Sequence, residues 1–411
     1  MQTKFQENPE KQGLTVLAGA SAENHEWKPL QPFDDRVLAY LSAVSKILMR
    51  DSRAKEYPDV ITFGFFCRKG NLLQLKEQYE HRIAGRIGRG MAFHVAPSNV
   101  PINFGYTLIS SLLAGNANVV KASSKDFVQT RIVCEAFQAV LSEREYSNLA
   151  PYVQVVMYDR NRQDLTEFFS SHCNIRVIWG GDQTIRTVRQ APIPPRTVEL
   201  TFADRYSFVV IRAEAVVALE TDAEKLSALA QDFYNDTYLY DQNACTSPRL
   251  IYWLGETEVV EKAKKLFWQA VYENIKDRYT VEAETAVNKL LAVDRTAIAV
   301  PGTKIVESPD NRIVRVEIPE LPDNLPELRA PGGLFHEYAD TTLDAIATIV
   351  DEKYQTLSYY GCDAEKLRSF VKSQGLLGID KIVPLGHTAD WMLTWDGYDL
   401  IETMSRVIVA T

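Results

Sequence analysis

Residues 91–121 read MAFHVAPSNVPINFGYTLISSLLAGNANVVK, and no Asp, Glu, Lys or Arg stands between Arg89 and Lys121. So long an uncharged run invites a membrane reading. Pro97, Pro101, Asn99, Asn103, Asn116 and Asn118 argue against it, because lipid offers their backbone breaks and amides no partners. The run divides instead into a buried strand (Ala92–Ala96), a helix apolar nearly all round (Ile102–Ala114), a Gly115-Asn116 stop and a second strand (Ala117–Lys121). Strand, helix and strand buried on every side make a parallel βαβ unit, in which covering helices keep both sheet faces dry.

The same alternation continues on both sides. Asp34-Asp35 opens an amphipathic helix with Val37, Leu38, Leu41, Val44 and Leu48 at helical spacing. Downstream lie a helix over Asp126–Leu141, a strand Val153–Tyr158, a helix Arg162–Ser170 and a strand Ile175–Trp179. Together they predict an α/β fold with a doubly wound parallel sheet. Pro192, Pro194 and Pro195 then break the rhythm, and new elements follow: a strand over Tyr206–Ile211, a helix leading to Tyr240 and a loop around Cys245. The expected division is an N-terminal arm (1–32), a dinucleotide-type domain (33–197), a second α/β domain (198–365) and a closing segment (366–411) that ends in a strand over Arg406–Ala410. Gly85-x-x-Gly88-x-Gly90, interleaved with Arg82, Arg86 and Arg89, lacks the dinucleotide glycine spacing and reads as a solvated turn or hairpin.

The balance of charge narrows the function. A net charge of −9 over 411 residues gives no basic face for nucleic acid. The five cysteines (Cys67, Cys134, Cys173, Cys245, Cys362) form an odd set without C-x-x-C spacing, and the opening MQTKFQENPEKQG is polar. These features point to free thiols in a reducing cytoplasm. The six histidines are scattered and support no metal site.

Several positions carry candidate chemistry. Cys245 lies in Asp241-Gln242-Asn243-Ala244-Cys245-Thr246-Ser247-Pro248, among small and polar residues ahead of an apolar strand. A working thiolate needs such access and nearby donors, whereas a structural thiol prefers apolar neighbours. Asn99 suits a helix cap, and equally an amide donor at the carboxyl edge of a parallel sheet. Lys121 ends a strand at that edge, where it is either surface or a contact for ribose or phosphate. Gly180-Gly181-Asp182 is either a tight turn or a place where a ligand approaches backbone closely. Glu199, between Val198 and Leu200, is either an exposed strand position or, if buried beside the thiol, a proton carrier.

Taken in order, these stretches resemble the aldehyde dehydrogenase superfamily, and within it the long-chain acyl-CoA reductase (LuxC) family. The resemblance runs from about residue 80 to the C-terminus. It rests on His94–Pro101, Leu113-Ala114-Gly115-Asn116, Val120–Ser124, Trp179–Asp182, Asp241–Pro248, Tyr354–Ser358 with Tyr360-Gly361, and Trp395–Tyr398. It implies an aldehyde dehydrogenase-like fold, with Cys245 as nucleophile, Asn99 as oxyanion donor and Lys121 as ribose-binding lysine. Ser123, Ser124 and Gly180-Gly181-Asp182 fall on the cofactor side, and Glu199 matches the superfamily's Glu-Leu motif. Two departures stand out. The superfamily's E-x-F-G-P motif is replaced around Ala330-Pro331-Gly332-Gly333, and Leu200 is followed by Thr201-Phe202 where two glycines are usual.

The implied reaction is reduction of a fatty acyl thioester to the aldehyde through a Cys245 acyl-enzyme. NADPH is the expected cofactor, because neutral Ser124 stands where NAD-preferring relatives place a glutamate. The implied partners are acyl-CoA or an acyl-protein, an acyl-protein synthetase, and further copies of the chain. An aldehyde dehydrogenase producing acid, a non-catalytic acyl-binding subunit, and a sugar- or nucleotide-linked reductase are the alternatives.

Overall fold

The structure, a computed structural model, describes residues 13–20 and 27–410. The chain forms two compact units, Met1–Ala203 with Trp391–Thr411, and Asp204–Asp390. In the first unit the strands are β1 (Thr15–Gly19), β2 (Arg86–Gly88), β3 (Met91–Val95), β4 (Ala117–Lys121), β5 (Val153–Met157), β6 (Ile175–Trp179) and β7 (Val198–Phe202). Six of them make one sheet in the order β1-β5-β4-β3-β6-β7, parallel except for β1, which runs antiparallel to β5.

The period of two along each strand builds two cores. Ala92, Val120, Val155 and Val177 pack into one apolar cluster, while Phe93, Val119, Val156 and Ile178 pack into another. Every residue of the helix Asn103–Leu113 is buried, which accounts for its apolar circumference. Gly115, at φ +91°, ends this region where a Cβ would lie 2.2 Å from the Leu30 carbonyl oxygen. Only glycine fits a left-handed position under so close a strand of backbone.

The glycine-rich stretch at 85–90, expected as a solvated turn or hairpin, holds a strand paired with a segment distant in sequence. β2 pairs antiparallel with the terminal strand Ser405–Val407, shorter than the expected Arg406–Ala410. Asn116 fixes this ribbon: its Oδ1 accepts from the Arg89 and Gly90 N–H groups, and its Nδ2 donates to the Ser111 and Met404 carbonyls. Trp391 and Trp395, 4.6 Å apart and stacked, also belong here, and Trp391 stacks on Tyr106 at 4.8 Å.

The second unit holds β8 (Tyr206–Arg212), β9 (Pro248–Leu254), β10 (Lys304–Val306), β11 (Val314–Glu317), β12 (Leu334–Asp340), β13 (Tyr354–Tyr360) and β14 (Lys381–Pro384). They form a sheet in the order β10-β11-β12-β9-β8-β13-β14, antiparallel only at β10–β11. Phe208, Val210, Leu250 and Tyr252 share a core with the helix Ala283–Ala299. Val209, Ile211, Ile251 and Trp253 share the other with the helices Ala223–Asp236 and Thr257–Ile275.

The units divide elsewhere than at the expected positions. Val198–Phe202 is hydrogen-bonded to β6, so the first unit runs to Ala203, past the proline cluster. The helix Ala364–Gln374 and β14 stay with the second unit through the β13–β14 ladder, and only residues from Trp391 onward return to the first. Within the expected arm, Thr15–Gly19 is a strand of the first sheet, and residues 1–12 and 21–26 lie outside the described residues. No described helix is long and apolar enough to cross a membrane.

Candidate active site

Cys245 belongs to the second unit; Asn99, Lys121, Gly180–Asp182 and Glu199 belong to the first. The thiol loop leaves the short 3-10 turn Tyr238–Tyr240 and enters β9. Asp241 and Gln242 lie at φ +51° and +56°, two consecutive non-glycine residues in the left-handed region. Such backbone persists only where its surroundings enforce it. Here the Gln242 side chain does so: its Nε2 donates to the Pro248 and Leu334 carbonyls, and its Oε1 accepts from the Gly333 N–H at 3.0 Å. Asp241 accepts from the Tyr279 hydroxyl.

Below the loop, the Cys245 carbonyl accepts from Ser207 Oγ at 2.7 Å, and Ser207 Oγ accepts in turn from the Thr356 N–H. Arg249, four residues past the thiol, donates to the Gln242 carbonyl at 2.5 Å and to the Ala330 carbonyl at 3.4 Å. Lys289 donates to the Gly332 carbonyl at 2.7 Å and to the Asn311 carbonyl. The Ala330–Gly333 turn thus holds the thiol loop from behind.

Cys245 is half-buried, whereas Cys67, Cys134 and Cys173 are buried. Burial pushes the Cys173 thiol up to about 12 and raises those of Cys67 and Cys134 further. Half-buried Cys362 is raised as well, again by burial. Three of the four other thiols are therefore closed to reagents, and none of the four is favoured as a thiolate.

In the first unit the candidate residues follow the carboxyl ends of neighbouring strands. Asn99 is exposed in the loop after β3, Lys121 ends β4, and Gly180-Gly181 follow β6. β3 lies between β4 and β6, so the winding direction reverses between β3 and β6. A crevice at such a reversal is where open α/β sheets take ligands. Gly181 caps the helix Asp182–Arg189, and a Cβ built on it meets nothing within 4 Å, so its backbone is open to approach. The Lys121 ammonium is half-buried, 5.0 Å from the centroid of the Tyr158 ring, and burial lowers its pKa against the pull of Asp159. Ser123 Oγ accepts from the Lys125 N–H and shapes the turn, leaving Ser124 exposed.

Glu199, read as either an exposed strand position or a proton carrier, is part of an ion-paired cluster. It sits opposite Arg176 in the β6–β7 register, and its Oε2 accepts from the Arg176 guanidinium (Nε at 2.7 Å, and Nη2). Its Oε1 accepts from Arg189 Nε at 2.7 Å. Each oxygen thus accepts from a guanidinium. Arg176 also donates to the Val188 and Ala191 carbonyls, so the pair ties two strands to the end of a helix. Among the described residues no His, Cys, Asp or Glu cluster could hold a metal ion.

Gln242, Arg249 and Lys289 hold the Cys245 loop and the turn behind it, a role the sequence reading did not assign them. Gln242 and Arg249 flank the thiol closely enough to have been suspected; Lys289 carries no local signal, being one lysine on an amphipathic helix.

Comparison with known proteins gives one consistent picture. The profile of the acyl-CoA reductase (LuxC) family matches residues 66–280, just over half of the chain. The long-chain acyl-protein thioester reductase of Vibrio harveyi is 25% identical over 308 residues, 72% of this chain and 59% of that protein. That of Aliivibrio fischeri is 25% identical over 171 residues, 41% of this chain and 33% of that protein. The chain thus spans between a third and three fifths of these relatives. Among solved structures, an NAD-dependent benzaldehyde dehydrogenase from Corynebacterium glutamicum superposes with a TM-score of 0.58 at 14% identity, covering 95% of this chain and 85% of that one. A 1-pyrroline-5-carboxylate dehydrogenase from Thermus with bound NAD gives a TM-score of 0.61 at 12% identity, covering 91% and 80%. The fold is that of the aldehyde dehydrogenases.

Proposed function

This chain belongs to the acyl-CoA reductase (LuxC) family, and from that premise we propose that it reduces a fatty acyl thioester to the aldehyde with NADPH, through an acyl-enzyme thioester on Cys245. The observation that carries the reading is the thiol itself, the half-buried one on a loop held by side-chain and backbone hydrogen bonds on both flanks.

In this reading the Cys245 thiolate adds to the thioester carbonyl. The charge that builds on oxygen is met by the Asn99 side-chain amide and the Cys245 N–H, each such donor being worth about 3 kcal/mol of barrier. Collapse breaks the old C–S bond, and the departing thiolate of coenzyme A or of an acyl-protein takes up a proton. A nicotinamide dinucleotide, when bound, supplies the hydride that reduces the acyl-enzyme carbonyl. The thiohemiacetal on Cys245 then releases aldehyde and regenerates the thiolate.

The first unit's edge suits such a cofactor. The open backbone at Gly181 and the helix beginning at Asp182 can meet a pyrophosphate, with Gly180 completing the turn. Lys121 and Ser123 are assigned to the ribose. Exposed, uncharged Ser124 leaves room for a 2′-phosphate, which is the ground for preferring NADPH. The acyl donor is acyl-CoA or an acyl-protein handed over by a synthetase, the latter in keeping with the names of the Vibrio harveyi and Aliivibrio fischeri relatives.

The test is oxidation of NADPH in the presence of acyl-CoAs of increasing chain length, wild type beside Cys245→Ala. Turnover lost in the variant supports the covalent route. Turnover retained by the variant, or none by the wild type with either acyl-CoA or an acyl-protein donor, rejects it.

A further inference from the structure

Contrary to the expectation that a net charge of −9 leaves no basic face, positive charge collects at one edge of the first unit. Arg89 and Arg196 stand just ahead of β3 and β7, at the amino edge of the sheet, opposite the carboxyl edge that carries Asn99, Lys121 and Gly180. Asn174, just ahead of β6 between them, ties the two approaches together. Its Oδ1 accepts from the Met91 N–H at 2.9 Å and its carbonyl from the Val198 N–H at 3.1 Å. Arg406 joins them through the ribbon, where it lies opposite Ile87, and Arg89 Nε donates to the Thr403 carbonyl at 2.8 Å.

The charges here do not balance. Arg82 pairs with Asp399 at 2.7 Å and with Glu402 at 2.5 Å, and Arg86 shares Glu402 at 3.6 Å. Among the described residues, Arg89, Arg196 and Arg406 have no ion-pair partner. Burial first, and then the fields of Arg86, Arg406 and Arg196, lower the Arg89 pKa, as repulsion between neighbouring cations demands. Farther along the same edge, Arg176 and Arg189 share one carboxylate, Glu199. Beside the unmatched guanidiniums, Val407, Ile408 and Val409 are 53%, 53% and 78% exposed. Neighbouring side chains of a strand point to opposite faces, and the Ile408 N–H still bonds the Gly85 carbonyl, so this apolar run is bare on both sides of the ribbon. An acidic protein docking by charge would cover one face, and nucleic acid asks for a longer track of cations. Aliphatic side chains bare on two faces beside unpaired arginines suit a medium that surrounds them, the boundary between lipid headgroups and acyl chains.

We propose that Arg89, Arg196 and Arg406, together with residues 407–409, form a docking edge for an anionic lipid surface. The guanidiniums meet lipid phosphates while the aliphatic run enters the headgroup boundary. Such a contact is largely electrostatic, and so it is reversible and weakened by salt. It rests on the first unit alone and stands or falls apart from the reductase reading.

The experiment is co-sedimentation of the full chain with vesicles of phosphatidylcholine, with and without phosphatidylglycerol, at low and at high salt. Wild type is compared with Arg196→Ser/Arg406→Ser and with Val409→Asp, all at exposed positions. Wild type is expected to sediment with the phosphatidylglycerol vesicles at low salt, to stay in solution with phosphatidylcholine alone, and to be released at high salt. An arginine near such a surface is worth roughly fivefold in binding, so the double variant is expected to bind roughly thirtyfold more weakly. Val409→Asp is expected to weaken binding about tenfold. Wild type that ignores phosphatidylglycerol vesicles overturns the proposal, as does binding that the double variant retains in full. Binding lost in the double variant, untouched in Val409→Asp and matched on a polyglutamate resin makes the edge a site for an acidic protein. A wild type that is dimeric without vesicles, beside a monomeric Val409→Asp, makes the occupant a second copy. Either of these last results also overturns the lipid reading.

Discussion

An amide that meets a developing oxyanion helps the transition state more than the bound substrate. Asn99→Ala is therefore expected to lower kcat for thioester reduction by about 10²–10³-fold with KM little changed, measured by steady-state NADPH oxidation. Glu199 calls for a different readout. With its two oxygens held by Arg176 and Arg189, Glu199→Gln breaks a largely buried pair and leaves Arg176 without its anion. The expected result is a loss of about 3 kcal/mol in urea unfolding with an unchanged pH profile of kcat. A profile that loses one limb would support the proton-carrying role instead. The Val198-Glu199-Leu200 triplet could not decide this, because what fixes Glu199 is its register against Arg176 on another strand, and a single segment does not carry register. The partial access of Cys245 was legible for the opposite reason. Its access follows from the small and polar residues beside it, which are local.

At the scale of elements, two turns support the site. Gln242→Ala removes the partner of the Gly333 N–H and of the Pro248 and Leu334 carbonyls, and frees the left-handed pair it holds. Thioester reduction is expected to fall at least tenfold, with Cys245 alkylation slowed in parallel. At Gly115 the obstacle is steric. An added Cβ would lie 2.2 Å from the Leu30 carbonyl oxygen at a φ of +91°, so Gly115→Ala is expected to cost about 3 kcal/mol or more in denaturant unfolding. The βαβ rhythm over residues 91–121 was readable because parallel strands buried on both faces are apolar throughout, and the helix between them is too. The expected division between the domains was displaced because prolines mark a break in local structure, whereas β7 owes its place to hydrogen bonds with β6. The pairing of Arg86–Gly88 with Ser405–Val407 was out of reach for the same reason, since it joins opposite ends of the sequence.

Over the whole molecule, each unit carries, among its described residues, one fully buried histidine that burial pushes down to about 4: His94, bonded to Thr107 and Asn118, and His336, bonded to Thr296. Both folded values lie below the ordinary 6.5, so the unfolded chain binds the extra protons. Their contribution is complete above pH 6.5 and is lost as pH falls toward 4. Unfolding free energy is expected to drop by about 1.4 kcal/mol per pH unit for each histidine across that window, read by urea titrations at several pH values. The return of residues 391–411 to the first unit has a consequence in time. A ribosome joins every residue of Asp204–Asp390 before it makes Trp391, Trp395 and the strand that pairs with Arg86–Gly88. Until then Tyr106 and Trp179 lack the indoles that pack on them. The first unit, begun first, is thus closed by residues made only after the whole of Asp204–Asp390.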